Sequence, residues 1–118
     1  MGVGLCALVF ACGKGTTSPS LPPVATNIIT ITASGVSPPN IVVQRGSQVT
    51  FDNKDSRTHD MQSDPHPEHN GCPELAQVGF LKPGESRQSG NLNLPMTCGY
   101  HDNQNEGSAA LRGTIVIQ

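Results

Sequence analysis

The residues of this sequence that could bind a metal through sulfur and nitrogen occur at two separate places. His59 follows a short segment of alternating polar and apolar residues, and Cys98 and His101 lie late in the chain within Cys-Gly-Tyr-His. One thiolate and two imidazoles form the donor set of copper sites that transfer electrons. The pattern therefore predicts a mononuclear copper held by His59, Cys98 and His101.

The segment 58–73 contains further candidate ligands. It holds three of the four histidines and almost nothing apolar, and prolines flank His66. A polar loop of this length in a compact domain needs a functional or covalent reason to be ordered. If Cys98 is not a thiolate, then His59, His101 and one of His66 or His69 could form an all-nitrogen site for copper or zinc, since imidazole suits both metals.

The elements that must position these residues are short strands. Clusters of Val, Ile and Leu recur between Gly and Pro, with no heptad, repeat or amphipathic helix. Strands are predicted near 28–32, 41–44, 48–52, 78–81 and 113–117, and this spacing favours a β-sandwich. The predicted domain covers residues 27–118. Residues 13–26 are rich in Gly, Thr, Ser and Pro and are expected to be a flexible tether.

The N-terminus predicts export. Residues 1–12 resemble a lipoprotein-type signal segment, in which the small residue Ala11 precedes Cys12. We expect Cys12 to carry lipid and to anchor the protein to a bacterial membrane, in the periplasm or on the outer cell surface. The apolar stretch is shorter than the ~20 residues of a spanning helix. The net charge of -2 and the lack of a basic patch argue against a nucleic-acid partner, and we expect a monomer.

Four segments of the chain resemble bacterial plastocyanin-like cupredoxins. They are Val36–Asp55, which leads to His59, then Lys82–Ser86, Cys98–His101 and Gly113–Ile117. The resemblance implies an all-β Greek-key β-sandwich in which His59, Cys98 and His101 bind copper. It also implies an electron carrier rather than an enzyme, with redox proteins of the cell envelope as partners.

The sequence departs from that family beside the predicted copper. Counting back from Gly113, Leu111 holds the place of the family's axial Met, and a Leu cannot ligate. The loop 102–110 is also longer than usual. Gln104 or Glu106 could therefore supply an oxygen ligand instead.

The second departure is Cys72. Cys6 would leave with the signal segment and Cys12 would carry lipid, so the folded domain keeps Cys72 and Cys98. In an oxidising compartment, two cysteines either pair or bind metal. A Cys72–Cys98 disulfide would remove the thiolate. The alternative function is then a non-redox metal-binding or structural envelope protein of cupredoxin fold.

Overall fold

The computed structural model describes residues 21–118. The predicted signal segment, Cys12 and the first part of the predicted tether lie outside these residues. Within residues 21–118 the chain forms ten strands: β1 Val24–Ala25, β2 Ile28–Thr32, β3 Gly35–Ser37, β4 Asn40–Val43, β5 Thr50–Asn53, β6 His59–Ser63, β7 Gly79–Leu81, β8 Ser86–Gln88, β9 Met96–Asp102 and β10 Arg112–Ile117. Short 3₁₀ helices occupy Pro73–Gln77, Asn103–Asn105 and Ala109–Leu111.

The strands form two sheets. Six strands pair in the order β1-β4-β10-β9-β6-β7, and four pair in the order β3-β2-β5-β8. β10 pairs in parallel with β4 and antiparallel with β9, so the last strand lies in the interior of the larger sheet. β6 pairs antiparallel with β9, and this register places Gln62 opposite His101 and Met61 opposite Asp102.

The core lies between the two sheets. The alternation in β2 buries Ile29 and Ile31 completely, as expected for a strand with one face inward. Phe51 of the smaller sheet meets Tyr100 of the larger sheet edge to face, with ring centroids 5.2 Å apart. Residues of β9 that share the face of Tyr100, including Cys98 and Asp102, therefore point into the sandwich.

The predicted all-β sandwich is confirmed. The ordered domain begins earlier than residue 27, because Val24 and Ala25 pair with Ile41 and Val42 along the edge of the larger sheet. Backbone pairing thus fixes residues that composition had assigned to the tether. No helix among residues 21–118 has the length and apolar character needed to cross a membrane.

Candidate metal centre

The sulfur atom of Cys98 is in a disulfide bond. Cys98 pairs with Cys72 across a Cα–Cα distance of 5.7 Å, and both residues belong to the buried core. A disulfide sulfur carries no thiolate charge, so this structure offers no cysteine ligand at the predicted site. Of the two outcomes left open for Cys72 and Cys98, the structure contains the disulfide.

The Cys-x-x-His spacing does not bring Cys98 and His101 together. β9 runs continuously from Met96 to Asp102, and side chains three residues apart in a strand point to opposite faces. Cys98 faces the core with Tyr100, whereas His101 points to the outer face of the sheet. Convergence of these two side chains would need a turn after Cys98, and here the strand continues through His101.

His59 also lies on the inner face, where a carboxylate forms a hydrogen bond with each of its two ring nitrogens. Its Nδ1 is 2.6 Å from Asp102 Oδ2 and its Nε2 is 2.8 Å from Asp55 Oδ2, with no exposed surface on the imidazole. Carboxylates only accept hydrogen bonds, so the arrangement is satisfied when both nitrogens donate, that is, by the imidazolium form. A ring with both nitrogens engaged has no lone pair for a metal. The predicted set of His59, Cys98 and His101 is therefore not the set that this structure assembles.

The pKa values of the two carboxyls agree with that ion pairing. The hydrogen bond from His59, the largest influence, acts together with Arg57 and the Ser56 N–H against the effect of burial, and the net result is a pKa of about 2 for Asp55. Burial alone would raise the pKa of Asp102. Hydrogen bonds from His59 and from two backbone N–H groups outweigh burial and hold the pKa of Asp102 below its usual value.

Three other histidines converge on the outer face of the larger sheet. His66, His69 and His101, the histidine cluster, each offer a ring nitrogen, and these donor atoms lie within 4.8 Å of one another. The ring centroids are 5.1–5.7 Å apart. His66 Nδ1 and His69 Nε2 are 3.3 Å apart. Metal–imidazole bonds of about 2.0–2.1 Å place neighbouring donor nitrogens at a similar separation.

His101 forms the floor of the cluster. Although it points to the outer face, it is only 2 % exposed because the loop after β6 covers it. Its Nδ1 lies 2.6 Å from Asp64 Oδ1, while its Nε2 is buried and has no hydrogen-bond partner. A buried polar atom without a partner is uncommon and calls for an explanation such as an ion. With Nδ1–H donated to Asp64, the Nε2 lone pair of His101 is free to bind a metal.

Carboxylates orient two of the three imidazoles. Asp64 holds His101, and Glu106 Oε1 lies 3.2 Å from His66 Nε2, which leaves His66 Nδ1 as the donor facing His69. Metal-binding histidines commonly donate their second N–H to a carboxylate in this way, which fixes the tautomer and raises the basicity of the ligand. Of the predicted oxygen donors, Glu106 thus contacts a histidine of the cluster. The Gln104 side chain is exposed, and its backbone N–H donates to Asp102.

The loop that carries His66 and His69 is anchored at both ends to β9. At its start, Asp64 N–H donates to Gly99 O at 3.0 Å. At its end, Cys72 is bonded to Cys98. A Cβ at position 99 would collide with the Asp64 carboxylate, so Gly99 leaves room for the Asp64 side chain against β9. The anchoring explains how a polar loop becomes ordered directly over His101.

The backbone inside the loop directs His69 back toward His66. His69 N–H donates to Pro65 O at 2.7 Å, and His69 has a φ of 55°. The left-handed region is unusual for a residue with a side chain, and such residues concentrate at functional sites. Two features of the sequence pointed to the cluster: the paired histidines of a proline-stiffened loop, and a third histidine in Cys-x-x-His.

Comparison with solved structures identifies the fold. The chain is similar to a purple cupredoxin from Nitrosopumilus maritimus, with 21 % identity, a TM-score of 0.61, and coverage of 79 % of this chain and 100 % of that chain. It is similar to a reduced amicyanin mutant at 19 % identity and a TM-score of 0.62, over 80 % of this chain and 86 % of that one. Oxidised plastocyanin from Dryopteris crassirhizoma matches at 19 % identity and a TM-score of 0.59, over 77 % and 99 %.

No protein-family model and no curated protein sequence matches the chain. At these identities the structural likeness establishes the fold, which is that of the cupredoxins, as the resemblance predicted. It does not by itself assign a metal or a function to this chain. Those conclusions depend on the histidine cluster.

Proposed function

We propose that this protein binds a single copper ion through His66, His69 and His101, on a cupredoxin scaffold whose cysteines form a disulfide. The observation that carries the proposal is the buried Nε2 of His101, which has no hydrogen-bond partner, in a histidine whose ring lies within 4.8 Å, donor atom to donor atom, of two further imidazoles. Copper is chosen over other metals because three imidazoles suit it and because an amicyanin of the same fold is described in its Cu(I) form. Asp64 and Glu106 would hold two of the ligands in place.

The proposed role is electron transfer with redox proteins of the cell envelope. The cupredoxin fold supports this role, since amicyanin structures are described in both oxidised and reduced states. The protein itself would act as a carrier and not as an enzyme. The Cys72–Cys98 disulfide supports an exported location, because such bonds persist in oxidising compartments.

A second candidate function is non-redox metal binding. The all-nitrogen donor set favours it, because copper without a thiolate or thioether loses the soft donors that stabilise Cu(I). Zinc would also fit three imidazoles. Reversible voltammetry of the copper-loaded protein separates the two roles: a reversible one-electron couple supports the carrier, and its absence supports the non-redox protein.

Loading the disulfide-bonded protein with Cu(II) tests the site itself. We expect one copper per chain, an electron paramagnetic resonance spectrum with nitrogen superhyperfine structure, and no intense sulfur-to-copper band in the visible. The His69→Ala variant should bind copper more weakly and show fewer coupled nitrogens. An intense visible band in the copper-loaded protein, with two free thiols appearing once the copper is removed, would contradict the proposal and restore His59, Cys98 and His101 as the ligands.

A further inference from the structure

The histidine cluster supplies three donors, and a fourth of the usual kinds is missing around it. Among residues 21–118, no other His, Cys, Asp or Glu belongs to the group whose donor atoms lie within 4.8 Å. Both sulfurs of Cys72 and Cys98 are in the disulfide. Met61 lies on the inner face of β6 and is 1 % exposed. Met96 lines a cavity with Leu92, Leu94 and Ile117. Neither thioether belongs to the outer face that carries His101.

Cu(II) and Zn(II) at three-imidazole sites complete their coordination with water or a substrate. Here the buried His101 forms the floor, whereas 39 % of the His66 side chain is exposed. A metal at the cluster would therefore be closed by protein beneath and open to solvent above. We propose that this fourth position is an exchangeable binding site for small inorganic anions. The inference rests on the proposed metal site.

The charges around the cluster set the class of ligand. Three neutral imidazoles leave the two positive charges of Cu(II) uncompensated at the metal, which favours an anion in the fourth position. Asp64 and Glu106 contact ring nitrogens that are not needed for metal binding, so their oxygens are already engaged as acceptors. They reduce the net charge of the centre without occupying the open position. A small monoanion therefore fits: it supplies negative charge directly at the metal, and the two nearby carboxylates leave no need for a more highly charged anion.

Two protein oxygens are the rivals for the fourth position. Gln62 lies opposite His101 in the β6–β9 register, on the same outer face, and its Nε2 donates to Asp60 Oδ1, so its Oε1 is available. Glu106 reaches His66 Nε2 and is 55 % exposed, so it could swing toward a metal. The variants Gln62→Ala and Glu106→Ala remove these oxygens one at a time.

Azide is the probe for the experiment. The full-length, disulfide-bonded protein is loaded with one Cu(II), and azide is added while the near-ultraviolet azide-to-copper band and the paramagnetic resonance spectrum are recorded. We expect a saturable band with one azide per copper, a changed copper hyperfine splitting, and a similar response in Gln62→Ala. Glu106→Ala should bind copper more weakly, because Glu106 contacts His66, but its copper-loaded fraction should still take up one azide per copper. Metal analysis after gel filtration checks that copper stays bound.

Two results would overturn the inference. If azide leaves the spectra of copper-loaded protein unchanged, the position is not open, and a response that appears only in Gln62→Ala or Glu106→Ala identifies the oxygen that closes it. In both cases the proposed metal site still stands. If the protein binds no copper even without azide, the proposed function and this inference fail together.

Discussion

His59 and His101 are both almost fully buried histidines beside aspartates, yet they differ in what their nitrogens can do. His59 contacts Asp102 through Nδ1 and Asp55 through Nε2, so both nitrogens are used. His101 contacts Asp64 through Nδ1 only, and its Nε2 has no partner. The first histidine is therefore part of a buried ion cluster that supports the fold. The second keeps one ring nitrogen available, and the proposed copper site depends on that nitrogen.

The largest changes, in copper affinity and in stability respectively, are expected when His101 and His59 are replaced one at a time. His101→Ala removes the buried donor and should lower copper affinity by at least the 10–100-fold that loss of an outer-shell partner costs. His59→Gln should leave copper affinity within a few-fold of the wild type. It should instead lower the free energy of unfolding by roughly 3–5 kcal/mol, because it leaves buried carboxylates uncompensated. Isothermal titration with copper and urea unfolding of the metal-free proteins measure the two quantities.

Loss of copper binding in His59→Gln would contradict this contrast between His59 and His101. If His59→Gln abolished copper binding in a protein that is still folded by circular dichroism, His59 would be a ligand after all. The ion cluster would then have to open on metal binding.

Removing the disulfide is expected to affect both stability and the site. The Cys72→Ser, Cys98→Ser double variant should be less stable by about 3–4 kcal/mol in the chain-entropy model for a loop of this size, since the cysteines are 26 residues apart. Copper affinity should also fall, because the loop bearing His66 and His69 loses its second anchor on β9. Thermal unfolding with and without copper measures both. A double variant with full copper affinity would show that the loop's non-covalent contacts, Asp64–Gly99 among them, are sufficient to order it.

A smaller effect is expected from the carboxylates that orient the ligands. Asp64→Asn keeps the shape but not the charge, and should weaken copper binding by about 10–100-fold. Glu106→Gln should weaken it less, because Glu106 is more exposed and its contact with His66 is longer. Competition titrations with a copper chelator would rank the two. Equal losses would mean that the two carboxylates act through charge alone and not by fixing a tautomer.

The smallest expected effect is the loss of folding stability in acid. The folded-state pKa of Asp55 is about 2, below its ordinary value of 3.8, so its contribution to stability is fully present above about pH 4. It should be lost as the pH falls through about 2. Urea unfolding of the metal-free protein between pH 5 and 2 measures this loss, and Asp55→Asn should flatten that part of the profile. A wild-type profile as flat as that of the variant would contradict the ion cluster.

The sequence predicted the fold better than the site. Alternating and β-branched segments, such as the one from Ile28 to Thr32, carry enough information to place strands and a two-sheet core. The resemblance to cupredoxins then gave the correct fold. The disulfide and an all-nitrogen site containing His66 or His69 were both among the alternatives, but the ligand roles of His59 and Cys98 were favoured.

The sequence could not predict the ligand set, because the ligand set depends on where one strand, β9, ends. Whether Cys98 and His101 converge is set by where β9 ends, and no residue type marks that end. β9 continues to Asp102, which separates the two side chains and lets Asp102 bind His59. The partners of His59 come from 4 and 43 positions away along the chain, and the long-range pairing of Asp102 cannot be inferred from spacing.

The disulfide between Cys72 and Cys98 also bears on when the chain can take up copper. A thiol pair stays reduced in the cytosol, so a newly made chain there would hold its histidine loop by non-covalent contacts such as Asp64–Gly99, without the covalent link to β9. We expect the chain to compete poorly for copper until oxidation joins the two cysteines. Oxidative folding would then act as a maturation step that decides when, and from which metal pool, the protein is filled.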